Sequence, residues 1–254
     1  MLSALVTEQL FPFMLVFARL GAALMLMPTV GEAAVPARVR MHFALAFTLV
    51  VTPMLRDILP PAPTAPLSLF LLVAGEVIIG LFFGALMRMI TAALHIAGMI
   101  FAFQSSLAAA QVFDPNQASQ TSITGNFLSL LALLIIFVSD MHHLLFTGLI
   151  DSYVLFPAGV APVAAEGADA MARGLADAFR IGLQMTMPVV VAGFLLYLGA
   201  GLLNRLMPQM MVFFVVMPLQ IVFAFSLLML TLSAALYWFI NFFDESLALL
   251  SGYG

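Results

Sequence analysis

An all-α membrane protein of bent, proline-interrupted helical hairpins is the fold class this sequence predicts. Composition is the first reason. Of 254 residues, 64% are hydrophobic and 8% are charged, whereas soluble domains run near roughly 25% charged and under half apolar. A globule of this size has too little interior to hide so much apolar surface from water. Segmentation is the second reason. There are about six apolar runs, and a helix needs roughly 20 residues to cross about 30 Å of hydrocarbon. Proline is the third. Pro12, Pro28, Pro53, Pro188, Pro208 and Pro218 lie within or beside these runs. Each removes a backbone donor and frees a carbonyl, which hydrocarbon tolerates only where protein or water satisfies it. Such helices are expected to pack against other protein.

The first run covers residues 11–30, with Pro28 and Gly31 at its end. The second covers 39–55, stopped by Pro53 and followed by the linker PPAPTAP at 60–66, which is extended because proline cannot donate to a helix. The third extends from 67 to about 109, which is two helices or one long bent one. Gly75, Gly80, Gly84 and Gly98 are its candidate close-packing or bending points. The fourth covers 127–138 and continues past Asp140 toward Tyr153. The fifth covers 176–206 and the sixth 210–243. Before the fifth lies an amphipathic connection at 157–180. There Leu175 and Phe179 share one face, and Arg173, Asp177 and Arg180 a polar one. The whole chain, 1–254, reads as a single membrane domain. The start MLSALVTEQLFPF has no basic stretch before its apolar run, so no cleaved signal peptide is expected.

Charge and motifs exclude several functions. All eight basic residues are arginines, too few and too scattered for a nucleic-acid surface. Arg38 and Arg40 favour a cytoplasmic first loop and Arg56 argues the other way, so orientation stays open. Without lysine there is no phosphate-binding GxxxxGK[ST] loop, and GxSxG is absent. The absence of cysteine removes disulfides and thiolate ligands. The motif SDMHHLL offers Asp140, His142 and His143, but adjacent histidines on a helix point in different directions. No metal and no cofactor is expected, and the chain is not expected to be an enzyme. A hydrolase using these histidines and a self-contained transporter using Arg19, Glu76 and Asp114 are the rival readings. The latter would call for inverted repeats, and none is visible.

Arg19 and Glu76 stand inside apolar runs. A charge there costs about 2.5–3.5 kcal/mol on insertion scales, so each must face protein or water. They read as pore-lining or relay groups, or as a buried ion pair that fixes helix register. The eighteen methionines, grouped near Met25, Met185 and Met211, read as a deformable seal or as ordinary packing. One segment is polar yet almost uncharged: SSLAAAQVFDPNQASQTSITGN, 105–126. It is longer than a turn requires, and its side chains can enter a confined wet space without a large desolvation cost.

Three blocks together resemble the FliR/SctT family of type III export-gate membrane proteins. The first carries Arg19, Pro28, Val35, Pro36, Val39 and Arg40. The second carries Glu76, Gly80, Gly84, Ala97, Gly98, Gln104, Phe113, Asp114 and Pro115. The third, PQMMVFFVVMPLQI, carries Pro208, Gln209, Phe213, Phe214, Pro218 and Ile221. It departs from the family at Met211, Val216 and Gln220, where Asn, Gly and Lys are usual. The resemblance covers nearly the whole chain. It implies a non-enzymatic subunit of the bacterial inner membrane at the flagellar basal body, or of an injectisome. The implied partners are FliP-like and FliQ-like gate subunits, FlhB-like and FlhA-like export proteins, and unfolded protein substrates, with no nucleic acid. It also implies that the polar segment plugs the conduit. The expected tip is Gln111, Phe113, Asp114, Pro115, Asn116 and Gln117, with Phe113 as stopper on an Asp-Pro-Asn turn. Arg19, Arg40, Glu76 and Gln104 are the expected intramembrane polar residues. Pro208, Gln209, Phe213 and Pro218 are the expected subunit contacts.

Overall fold

The computed structural model describes residues 2–108, 122–160, 164–209 and 211–251. Among these there are seven principal helices, one short 3-10 turn and no strand. The helices are α1 (Leu2–Leu26), α2 (Ala37–Leu55), α3 (Pro66–Gln104), α4 (Ile123–Val138), α5 (Met141–Leu155), α6 (Ala164–Leu206) and α7 (Val212–Ser251). Five are long and apolar enough to cross a membrane, and six spans result if α4 and α5 count as one broken span. The protein is an all-α polytopic membrane protein.

The third apolar run is one continuous helix of 39 residues. At 1.5 Å per residue it is about 58 Å long, nearly twice the thickness of a bilayer core of about 30 Å. Helices α6 and α7, of 43 and 40 residues, overshoot similarly. Pro12, Pro53, Pro188 and Pro218 all lie inside helices that run on past them. Each removes one hydrogen bond from a ladder long enough to persist on either side. Pro28 follows the end of α1, and Pro208 lies between α6 and α7.

The fourth run does not continue smoothly to Tyr153. It breaks after Val138, and Asp140 takes a left-handed conformation (φ 57°, ψ 13°) before α5 begins. Aspartate is among the few residues that tolerate this region. The fifth run begins earlier than its apolar core, at Ala164. Its first turns carry exposed ion pairs, Arg173–Asp169 at 2.5 Å and Arg180–Asp177 at 3.2 Å. Such pairs contribute little in water, but they keep this part of α6 polar.

The chain forms two compact units. One comprises Met1–Ile90, Ile136–Gly174 and Glu245–Gly254; the other comprises Thr91–Ile135 and Leu175–Asp244. In the first unit Leu15, Leu20, Leu24, Phe83, Met87, Leu145 and Leu149 are buried. Phe146 of α5 packs against both of the stacked rings of Phe43 and Phe47 on α2, at 5.8 and 5.2 Å. In the second unit Phe101, Val189 and Ala224 form a core that joins α3, α6 and α7, with Phe225 edge-on to Phe101 at 5.2 Å.

Candidate functional site

Helix α3 carries Glu76, Gly80 and Gly84 at four-residue intervals, and therefore on one face. That face meets α1. Gly80 lies against the main-chain carbonyl of Arg19, and a Cβ on Gly84 would fall 2.6 Å from the carbonyl oxygen of Ala23. Two glycines spaced this way let helix backbones touch, as small residues do in membrane helix pairs. Gly80 and Gly84, which could have bent the helix, serve instead as contact points.

This approach brings the two intramembrane charges together. Arg19 Nε donates to Glu76 Oε2 at 2.6 Å and Nη2 donates to Oε1 at 3.1 Å. The pairing is bidentate, the strongest form of this contact. Nη1 donates to the carbonyls of Ser152 and Phe156 at 3.1 and 2.9 Å. Those carbonyls lie at the end of α5, which carries partial negative charge; that of Ser152 also accepts the Phe156 N–H at 2.9 Å. The guanidinium carbon also lies 3.9 Å above the Tyr153 ring. The main-chain N–H of Gly159 reaches Glu76 Oε1 at 3.4 Å. Arg19 is 0% exposed and Glu76 1%. Arginine stays charged in proteins, and the pair has no access to solvent within this chain. It is a buried structural junction of α1, α3 and the end of α5.

The second unit holds a different polar site, at the entry and exit of the polar segment. Gln220 of α7 is 2% exposed. Its amide nitrogen donates to the carbonyl of Gln104, and its amide oxygen accepts from Ser106 Oγ at 2.8 Å. The Gln104 carbonyl is one of those that the end of α3 leaves without an intrahelical partner. Gln104 in turn donates from Nε2 to the carbonyl of Val190 on α6 at 3.0 Å. Gly193 makes room for it, since a Cβ there would fall 2.6 Å from Gln104 Nε2. Ser106 itself is left-handed, at φ 60°. At the exit, the Gly98 carbonyl accepts from Thr124 Oγ1 at 2.7 Å and from Ser122 Oγ at 3.4 Å. A Cβ on Gly98 would fall 2.5 Å from the Cα of Gly125. Ser129 Oγ donates to the Gly125 carbonyl at 2.8 Å and lies 3.1 Å from His95 Nδ1. With the hydroxyl proton spent on that carbonyl, His95 Nδ1 is the donor.

Met211, Val216 and Gln220, at which the resemblance leads to an expectation of Asn, Gly and Lys, all line one cavity of about 450 Å³, together with Ser106, Tyr197 and Asn204. Ser106, Thr124 and Gly193 carry no signal of their own in the sequence, and Gln220 stands out there as a departure from the family pattern. The available signal was a glutamine in an otherwise apolar run, MPLQIVF, which must find a partner when buried.

The remaining expected residues fall as follows. Gln111, Phe113, Asp114, Pro115, Asn116 and Gln117 lie outside the described residues. Arg40 is half-buried in the first turn of α2, and its Nε has no hydrogen-bond partner among the described residues. Pro208, Gln209 and Pro218 are exposed, and Phe213 lies on α7 with its side chain outside those described. The expectation that the adjacent histidines His142 and His143 point in different directions is corrected, since their ring centroids lie 4.1 Å apart. One atom able to bind a metal from each of Asp140, His142 and His143 lies within 4.8 Å of the others, where Asp140 precedes the first turn of α5.

The sequence matches the family described as bacterial export proteins, family 1, over residues 10–246. It is 36% identical to the flagellar biosynthetic protein FliR of Caulobacter vibrioides over 91% of this chain and 92% of that one. It is 34% identical to FliR of Bacillus subtilis, covering 88% and 87%. It is also 32% identical to Yop proteins translocation protein T of Yersinia pestis, covering 64% and 63%. The match extends from the Arg19 helix almost to the end of α7, and so includes both polar sites, and on that ground the chain belongs to the FliR/SctT family of bacterial export proteins.

Proposed function

We propose that this chain is a structural and gating subunit of a flagellar type III protein-export gate in the bacterial inner membrane. In this reading it forms part of the channel through which unfolded flagellar proteins cross the inner membrane. FliP-like and FliQ-like subunits complete the channel, FlhB-like and FlhA-like proteins associate with it, and energy comes from those partners. The chain itself performs no catalysis. The observation that carries the reading is the polar anchoring at both ends of the polar segment. Gln104, Ser106 and Gln220 hold the entry, and Ser122 and Thr124 on the Gly98 carbonyl hold the exit. A segment anchored at both ends by hydrogen bonds, in a chain related to FliR, suits a plug that is displaced and returns. Phe113 is the proposed stopper.

Deletion of 111–120 from the chain in an assembled gate is expected to raise ion leakage across the membrane. Unchanged conductance would remove the plug role. Failure to co-purify with FliP- and FliQ-like chains would remove the gate role as a whole. The similarity to the Yersinia translocation protein favours a second reading, an injectisome subunit. Restoring motility to a flagellated cell that lacks its own FliR separates the two.

A further inference from the structure

Three observations at the break between α4 and α5 converge on one place in the first unit. Asp140 occupies the cap position of α5, yet its carboxylate makes no capping hydrogen bond. Aspartate at such a position ordinarily accepts from the first turn of the helix. Second, His142 Nδ1 is buried and has no hydrogen-bond partner among the described residues, although its ring packs against Phe137 at 5.3 Å. An imidazole nitrogen shut away from water normally finds a partner. Third, His143 Nδ1 lies 3.3 Å from the main-chain carbonyl of Asp140. A carbonyl only accepts, so this contact places the proton on Nδ1 and leaves the lone pair on Nε2. Metal-bound histidines are characteristically held this way, with the other ring nitrogen donating to a carbonyl or carboxylate.

We propose that Asp140, His142 and His143 form a binding site for a divalent transition-metal ion. One ligand atom from each lies within 4.8 Å of the others. Ligands about 2.1 Å from a tetrahedral ion lie about 3.4 Å apart. The side chains must therefore close by at most about 1.4 Å, a distance covered by small χ rotations on an exposed turn. Two imidazoles and one carboxylate with no thiolate suit zinc and its neighbours rather than calcium or magnesium, which favour oxygen-only shells. Three protein ligands leave a fourth position for water or for a donor from another subunit. The carboxylate comes from the break and both imidazoles from the first turn of α5. A bound ion therefore ties the two together and stiffens the corner at which the apolar run is interrupted.

The test uses the full chain in detergent, purified with a tag that contains no histidine and stripped with chelator. Co2+ is titrated in as the spectroscopic probe and Zn2+ as competitor. The expected result is one Co2+ per chain with visible absorption of tetrahedral intensity, displaced by Zn2+. Asp140→Asn and His143→Ala are expected to weaken binding at least tenfold, and His42→Ala and His95→Ala to leave it unchanged. Zn2+ is expected to raise the thermal midpoint of the natural chain and not that of His143→Ala. The proposal is overturned by a spectrum of aqueous Co2+ alone, or by binding that survives in both Asp140→Asn and His143→Ala. Both altered residues are exposed, so these variants keep the core intact. His142→Ala, which opens space beside Phe137, is a supporting measurement only.

Discussion

Arg19 and Glu76, 57 positions apart, close a bidentate ion pair in which neither side chain reaches solvent. A buried pair of this kind adds little net stability against an apolar substitute, but removing one partner strands the other charge, which typically costs about 3–5 kcal/mol. Arg19→Ala and Glu76→Ala are each expected to lose stability of that order. The check is thermal unfolding of the detergent-solubilised chain. Arg19→Lys should not restore it, because an ammonium cannot serve a carboxylate and two carbonyls with a planar fork. The double variant is expected to remain below the natural chain, since the Phe156 carbonyl loses the Arg19 donor and the Ser152 carbonyl keeps only the Phe156 N–H. Full stability in the double variant would contradict this reading of the junction.

The pair depends on how near α3 comes to α1. Gly80 and Gly84 face main-chain atoms of Arg19 and Ala23, and backbone cannot move aside as a flexible side chain can. Gly84→Val is expected to destabilise by about 1–3 kcal/mol through overpacking. Gly75 has open space around it, so Gly75→Ala is expected to be neutral or slightly stabilising, given the higher helix propensity of alanine. Comparing the unfolding temperatures of the two variants tests contact against simple glycine content.

Gln220 closes the end of α3. In Gln220→Leu, the Gln104 carbonyl and the Ser106 hydroxyl lose their shared partner, and an unsatisfied buried group costs about 1–3 kcal/mol. Amide hydrogen exchange should rise locally around 104–106 while α1 is unaffected. Gly193→Ala is expected to do the same indirectly, by displacing Gln104 from the Val190 carbonyl. Protection unchanged in both variants would show that the amide is not what holds this helix end.

Thr124→Val keeps the shape of the side chain and removes the 2.7 Å bond to the Gly98 carbonyl. A loss of about 0.5–1.5 kcal/mol is expected. If the polar segment plugs a gate, the assembled complex should also leak more, because one anchor of the segment is weakened. Thr147→Val, which loses only a bond within its own helix, serves as control and should leave conductance unchanged.

Much of this is legible in the amino-acid sequence. The low charge and the apolar runs define a membrane protein because hydrocarbon admits few charges and no unpaired backbone. The three motif blocks led to the family. Arg19 and Glu76 stood out for the same reason, since a charge in an apolar run needs a partner. Periodicity could not show that they partner each other, because nothing local links residue 19 to residue 76. It was also silent on whether residues 67–109 bend. Glycine weakens a helix and also lets helices touch, and only the neighbour found at Gly80, Gly84 and Gly98 distinguishes the two.

The polar corners depended most on tertiary structure. Adjacent histidines on an ideal helix diverge at Cβ, yet the rings of His142 and His143 meet at 4.1 Å beside Asp140. Gln220 meets both of its partners through one amide, which donates and accepts as an ammonium cannot. The sequence by itself determined the solvent, the helical class and the family, since these follow from composition and local order. Which buried polar groups satisfy one another was decided by the tertiary structure alone, because a hydrogen bond requires an approach within about 3 Å that distance along the chain does not encode.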